Sequence, residues 1–281
     1  MDWLDRFHAA VDYIENHLDD KIEYSSVAQA ACCSEFHFSR MFSSILGISL
    51  SEYIRRRRLT KAAFDIQTSD AKIIDIALKY GYDSSDAFSR AFKKLHSVTP
   101  HSVREKGVQL KAYPRISFQI TIKGDVELDY RIERMEMELR FVGKRQSVKT
   151  SRAFKEIPAL WRESNKDGFK QALIDMSWVS PKCKLESLVG ICGKEAAITD
   201  EVFDYFMGVR YDSEPPSDME EIIIAPSTYA VFPNVVDAWK RLYSEWLPTS
   251  GYELVNQPCI EHFLGPGHKI KHELWVPIIE K

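Results

Sequence analysis

Two nine-residue stretches, fifty residues apart, carry the same chemistry. Residues 34–42 read Ser-Glu-Phe-His-Phe-Ser-Arg-Met-Phe, and residues 84–92 read Ser-Ser-Asp-Ala-Phe-Ser-Arg-Ala-Phe. Five of the nine positions are identical, among them the arginines Arg40 and Arg90. On a helix laid in a major groove, an arginine offers a planar fork of donors that matches guanine O6 and N7. The competing role for either arginine is a phosphate contact or a surface ion pair. Glu35 and Asp86, in the first turn of each copy, would accept from a cytosine amino group or would simply stabilise the positive end of the helix. A second kind of chemistry sits at the far end of the chain. Glu273 and Trp275 alternate on an apolar stretch, so a strand would place a carboxylate and a ring on one face.

Helices are needed to hold the first pair of stretches. Trp3, Phe7, Val11, Ile14 and Leu18 recur at helical steps over 3–18. Ser25-Ser26 reads as an N-cap for a short small-residue helix at 27–31. Ser34 reads as the cap of a helix over 34–46 that stops at Gly47. A long helix follows at about 49–68, another near 71–80 ending at Gly81, and Ser84 caps one at about 85–95. Thr99-Pro100 starts a last short turn. Each repeated stretch follows a short helix with a small residue at the equivalent place, Ala28 and Ala77, where two helices can cross closely. This is helix–turn–helix logic, twice. Phe38 with Phe42, and Phe88 with Phe92, lie four apart and face the core. Two such recognition helices on one rigid bundle would enter successive major-groove segments, about 34 Å apart.

Charge first argues against this reading. The 281 residues hold 38 Lys and Arg against 41 Asp and Glu, a formal net charge of −3. The average hides unlike parts. Residues 1–30 carry seven acids and two bases, whereas residues 53–106 carry twelve bases and six acids. The densest point, Arg55-Arg56-Arg57-Arg58, is either a solvated helix face or a phosphate-contacting surface.

From Arg115 the period changes to alternation. Ile116, Phe118, Ile120 and Ile122 predict a strand, Gly124-Asp125 a turn, and 126–143 further strand. Residues 152–165 predict a helix, 187–194 and 202–211 strands, 220–232 a strand, 235–247 a helix, and 252–264 and 270–280 strands. The pattern is strand–helix–strand–strand, repeated. Residues 203–209 can be laid on 272–278 at a shift of 69, which pairs Asp204 with Glu273. Two such halves form a groove at their junction, a natural small-molecule site. At roughly 100–200 residues per domain the length accommodates two domains, and the boundary lies near 107–114.

With these residues in view, the first half resembles the DNA-binding domain of the AraC/XylS transcription regulators. The matching stretches are Ser34–Phe42, Gly47-Ile48-Ser49, Tyr53 through Leu59, Ile76-Ala77, Gly81-Tyr82, Phe88 through Lys94, and Thr99-Pro100 with Arg104. The resemblance implies that Phe36, Ser39 and Arg40 face bases or sugar edges from the first recognition helix, and Ser85, Asp86, Ser89 and Arg90 from the second. His96 stands where that family usually has glycine and Val103 where an aromatic is common. The second half resembles the GyrI-like, Rob-type effector-binding domain through Asp129-Tyr130-Arg131-Ile132, Val142-Gly143, Tyr205 through Val209 and Glu273 through Ile278. That resemblance implies lipophilic, often cationic ligands around an acid on the last strand, here Glu273, which would attract a delocalised cation by charge and by cation–π contact. Trp275, Tyr205, Trp161, Trp178, Tyr229, Trp239 and Trp246 are the rings available to line such a groove.

Other constellations carry less. The five cysteines lack metal spacing and read as free thiols. His268 and His272, on a strand, lie about 13 Å apart along it, too far to share a metal. Gly190-Ile191-Cys192-Gly193-Lys194 lacks the length of a phosphate loop. No apolar run or leader points to a membrane. The expectation is therefore a cytoplasmic, multidomain protein without metal or cofactor. It has an all-α double helix-turn-helix domain (1–107), then an α+β domain of two pseudo-symmetric strand–helix–strand–strand repeats (108–281). It is not an enzyme, and its partners are double-stranded promoter DNA, a small effector and RNA polymerase. Effector binding would alter domain packing or polymerase contact. The alternatives for the second domain are a hydrolase pairing Glu273 with a tyrosine such as Tyr205, or a protein-interaction module.

Overall fold

Serine side chains start three of the helices in the first half. In the computed structural model, Ser34, Ser49 and Ser84 each accept a backbone N–H three residues on, from His37, Glu52 and Ala87, at 3.2 Å. Each such cap contributes about 1 kcal/mol. The structure describes residues 3–105, 108–117, 129–179, 184–193, 202–265 and 268–281. The helices of the first hundred residues are α1 (Trp3–Asn16), α2 (Tyr24–Ala30), α3 (Glu35–Leu46), α4 (Leu50–Thr68), α5 (Ile73–Lys79) and α6 (Ser85–His96). Ser25-Ser26 does not cap α2. The helix begins at Tyr24 with Glu23 at the cap position, so both serines lie inside its first turn. Contacts divide the chain into two units, residues 1–32 with 48–119, and residues 33–47 with 120–281. Helix α3 thus belongs to the second unit.

The first unit is built on α4. Leu59, Ala62, Ala63 and Ile66 pack with Ile73, Ile76 and Ala77 of α5, Phe88 and Phe92 of α6, and Val103. His96 fits this core. Its ring lies 4.3 Å from that of Phe92, and its Nε2 is 3.2 Å from the Leu59 carbonyl oxygen. The left-handed turn that ends α6 falls on Ser97 (φ 68°) instead. The four consecutive arginines are spent inside the unit. Arg55 and Arg56 both bond Glu52. Arg57 reaches back to Glu15 of α1 through two bonds of 2.8 Å, and Arg58 donates to the carbonyls of Leu18 and Asp20. The run is neither a bare solvated face nor an open phosphate surface. Arg57 and Arg58 staple α1 and the following turn to α4, whereas Arg55 and Arg56 stay on α4. Residues 108–117 also lie with this unit, where Tyr113 N donates to Thr60 Oγ1 at 3.2 Å and Leu110 and Tyr113 cover the core. Of the strand expected from Ile116, the part beyond Ser117 and the Gly124-Asp125 turn lie outside the described residues.

The second unit carries one antiparallel sheet. Its described strands are β1 (Arg131–Met135), β2 (Leu139–Lys149), β3 (Leu188–Cys192), β4 (Val202–Arg210), β5 (Glu220–Ile224), β6 (Ser227–Pro233), β7 (Tyr252–Leu254), β8 (Cys259–Phe263) and β9 (His272–Glu280). Their order is β1-β6-β9-β8-β3-β4-β2-β5, with β7 on β9. Helices α7 (Ala153–Glu163) and α8 (Phe169–Val179) follow β2, and α9 (Val235–Arg241) follows β6 and runs into a π turn at Leu242–Trp246. Residues 169–179 carry no helical expectation from the sequence, and they form α8.

The register makes the repeat explicit. Ile191 of β3 pairs with Ile260 of β8, Phe206 with Ile191, and Trp275 with Ile260. These equivalents are 69 residues apart, the same shift that lays 203–209 on 272–278. The pseudo-twofold axis therefore passes between β3 and β8. The strand that precedes each repeat crosses over to pair with the other one, β1 with β6 and β5 with β2.

Candidate functional site

The period of two along a strand sorts the expected ligand residues onto opposite faces of this sheet. Glu273, Trp275 and Tyr229 share the face whose core includes Ile191, Ile260 and Phe206. Tyr205 and Glu261 lie on the other, helix-covered face. On that face the central object is Glu261, a buried acid on β8. Trp239 Nε1 of α9 donates to its Oε1 at 2.8 Å, and Tyr205 Oη donates to its Oε2 at 2.9 Å. Trp161 Nε1 of α7 in turn donates to Tyr205 Oη at 3.0 Å. Burial pushes the Glu261 carboxyl above the ordinary carboxylate range, while the Trp239 and Tyr205 bonds and the charge of Arg40 pull the other way.

Gly190 makes this network possible. It sits on β3 between the strands that carry Tyr205 and Glu261. A Cβ at position 190 would fall on the Tyr205 phenol, with Cε2 only 2.8 Å away. The absent side chain lets the phenol lie across β3 to reach the acid. Beside the network opens a cavity of about 430 Å³ lined by Arg40, Phe154, Trp161, Trp239, Glu261 and Phe263, among others. Its size and largely apolar walls, with one carboxylate (Glu261) and the basic side chains Arg40, Arg162 and Lys170 among the lining, suit a small organic molecule.

The opposite face holds a second, wider cavity of about 760 Å³, bordered by Arg131, Trp178, His262, Glu273 and Trp275. Here Glu273 is already paired. Arg131 Nη1 and Nη2 donate to its two oxygens at 2.8 and 3.0 Å, and Trp275 Nε1 adds a bond of 3.3 Å. The partner is Arg131 of β1, brought there by the β1–β6–β9 pairing. Burial opposes ionisation of Glu273, but the neighbouring His262 and Arg131 outweigh it and hold the carboxyl down to about 2. The unfolded chain, with an ordinary carboxylate, therefore takes up the proton first as the pH falls. The stability that Glu273 contributes is present above about pH 4.5 and lost on acidification towards about pH 2. Denaturant titrations across that range should show a steeper acid loss in the wild type than in Glu273→Gln. Equal slopes would remove Glu273 from the account.

The residues expected around one groove are thus divided. Glu273, Trp275 and Trp178 border the wider cavity, where Trp178 is 83% exposed. Trp161 lines the smaller one, and Tyr205 stands behind it. Tyr229 is buried against Trp275 and lines neither cavity. Asp204, the equivalent of Glu273, pairs with Arg145 at 3.4 Å. The hydrolase pairing of Glu273 with Tyr205 is not formed, because the two project from opposite faces. The shift of 69 lays Glu261 on Cys192, so the repeat gave no signal for it. The available sign was an acid at an inward position of the apolar strand Cys259–Phe263. Cys192 and Cys259 face each other across β3 and β8 as free thiols, and burial raises both well above the ordinary thiol range.

The two repeated helices differ in environment. On α6, Asp86 and Arg90 are exposed and Ser85 and Ser89 half-buried, while Phe88 and Phe92 fill the core. Arg90 makes no ion pair among the described residues, and Lys93 and Lys94 extend its positive face. On α3, Phe36, Ser39 and Arg40 are all buried in the second unit.

Comparison with known proteins accounts for both halves. Residues 27–106 match the helix-turn-helix domain model, and residues 128–279, more than half of the chain, match the GyrI-like small molecule binding domain. Over 94 residues the chain is 40% identical to an uncharacterized HTH-type transcriptional regulator, YbfP of Bacillus subtilis, covering 34% of this chain and 32% of that protein. It is 39% identical to the HTH-type transcriptional activator AarP of Providencia stuartii, covering 33% of this chain and 68% of that protein. It is 43% identical to the transcriptional regulator Rob of Salmonella typhimurium, covering 31% of this chain and 30% of that protein. The match thus spans about a third of YbfP and of Rob. Among the described residues no helix is long and apolar enough to cross a membrane. The chain belongs to the AraC/Rob-type regulator family, with an AraC-type helix-turn-helix region followed by a GyrI-like small molecule binding domain.

Proposed function

We propose that this protein is a sequence-specific, effector-responsive transcription regulator. Its reading residues are Ser85, Asp86, Ser89 and Arg90 on α6, and Phe36, Ser39 and Arg40 on α3. Its effector is a small lipophilic molecule seated against Glu261 and Trp239, with Trp161 and Tyr205 behind them. It acts on promoter DNA in the cytoplasm and through contact with RNA polymerase, as befits relatives that include a named activator. The observation that carries the reading is the pairing, in one chain, of the exposed reading face of α6 with an aromatic-walled cavity ending on a buried acid. Glu261 rather than Glu273 is the acid offered to a ligand, because Arg131 already neutralises Glu273.

The test begins with selection of duplexes from a random-sequence pool by the full chain. Arg90→Ala should weaken binding of the selected duplex by roughly 1–3 kcal/mol and relax preference at one base pair. Uniform weakening at every position would reassign Arg90 to phosphate. Failure to enrich any sequence would overturn the regulator reading.

A further inference from the structure

The family match counts α3 with the helix-turn-helix region, yet by its contacts it groups with the second unit. Every residue from Phe36 to Phe42 is buried. A helix that only reads a groove has no need to be covered on all sides. At the centre of the covered surface is Arg40, 5% exposed. Its guanidinium carbon lies 4.2 Å from the ring centroid of Trp239, 5.6 Å from Phe203, 5.7 Å from Phe154 and 5.9 Å from Phe36. This is an aromatic cage around a planar, delocalised cation. The cage is part of the cavity that ends on Glu261, which is the one carboxylate among the lining residues.

Neighbouring contacts seat the rest of the helix. The Phe36 ring meets Phe203 edge-on at 5.4 Å and Trp239 at 6.4 Å. Gly193, at φ +92°, leaves room for it, since a Cβ there would stand 2.9 Å from Phe36 Cδ1. His37 Nδ1 lies 3.2 Å from the hydroxyl of Tyr243 in the π turn.

We propose that Arg40 is a tethered surrogate ligand. Its guanidinium fills the cation place of the effector cavity and so withholds α3 from DNA until a lipophilic, delocalised cation displaces it. The proposal rests on the regulator reading above and adds the switch. The same guanidinium cannot both stack on Trp239 and bond a guanine. A cation that binds Trp239 and Glu261 binds only the state that Arg40 has vacated, and this difference in affinity drives the shift.

Hydrogen exchange of the full chain, read by mass spectrometry without DNA, tests this. Methyltriphenylphosphonium should quench tryptophan fluorescence and raise exchange at residues 35–46 by about tenfold or more, while neutral triphenylphosphine oxide does neither. Arg40→Leu should raise the same exchange without the probe and bind the probe about tenfold more tightly. Arg40→Lys keeps the charge but loses planar stacking, so it should fall between, and it serves the same comparison if Arg40→Leu does not fold. Three results overturn the proposal: quenching with α3 still protected, substitution at Arg40 without loosening of α3, or no binding of the probe. None of these readouts involves DNA, so they fail separately from the regulator reading, which fails on duplex selection.

Discussion

Gly190→Ala should be among the most damaging single-methyl additions to the second unit. The new Cβ would occupy the place of the Tyr205 phenol, which is fully buried. Overpacking of this kind costs about 1–3 kcal/mol. Displacing the phenol also strips one of the two hydrogen bonds from Glu261, and a buried acid left short of a partner adds about 1–3 kcal/mol. Chemical denaturation followed by tryptophan fluorescence would measure the loss. Tyr205→Phe should not rescue it, because the ring atoms themselves clash. Tyr205→Leu in the same chain should give a less than additive loss. Full additivity would show that Gly190 and Tyr205 are not coupled through this contact.

Arg57→Ala should destabilise the first unit by about 3–5 kcal/mol, the loss expected when one partner of a buried ion pair is removed. Glu15 and Arg57 side chains are only 8% and 11% exposed, and Tyr53 Oη adds a 2.6 Å bond to the same carboxylate. Burial raises the Glu15 carboxyl, but the Arg57 and Tyr53 bonds outweigh it and leave it below the ordinary range. Removing Arg57 leaves that charge buried against a lone phenol. Arg56→Ala is the control. It lies one residue away and bonds a half-exposed Glu52 that Arg55 also holds, so its loss should be about 0–1 kcal/mol. Helical circular dichroism against denaturant separates the two. If Arg57→Ala left stability unchanged and instead flattened the salt dependence of DNA binding, the run would be a phosphate surface after all.

These two cases show where the amino-acid order speaks clearly and where it does not. Caps at Ser34 and Ser84 are local events, and both form where the serines stand, whereas Ser25-Ser26 falls inside the first turn of α2. The 69-residue shift is a comparison of the chain with itself, and the β3–β8 register reproduces it. Arginines at 55–58 have no local signature that separates a staple from a phosphate surface, because Glu15, Leu18 and Asp20 lie some forty positions away. Likewise Glu273 has an inviting local setting of aromatics and alternation, but Arg131 arrives from a strand 142 positions earlier. Glu261 stands in an unremarked strand, and its significance depends on Trp239, Tyr205 and the gap at Gly190.

By itself the sequence determined the helical first half, the doubled recognition stretch, the change of period and the repeated α+β second half. All of these follow from short-range spacing, which sets propensity, capping and burial face. Only the tertiary structure decided which acid faces a cavity, which aromatics share it, and that Arg40 and Arg90 occupy opposite situations despite the shared Phe-Ser-Arg-x-Phe frame. Strand alternation places residues on a face, but which face is lined, covered or neutralised depends on chains that return from far away.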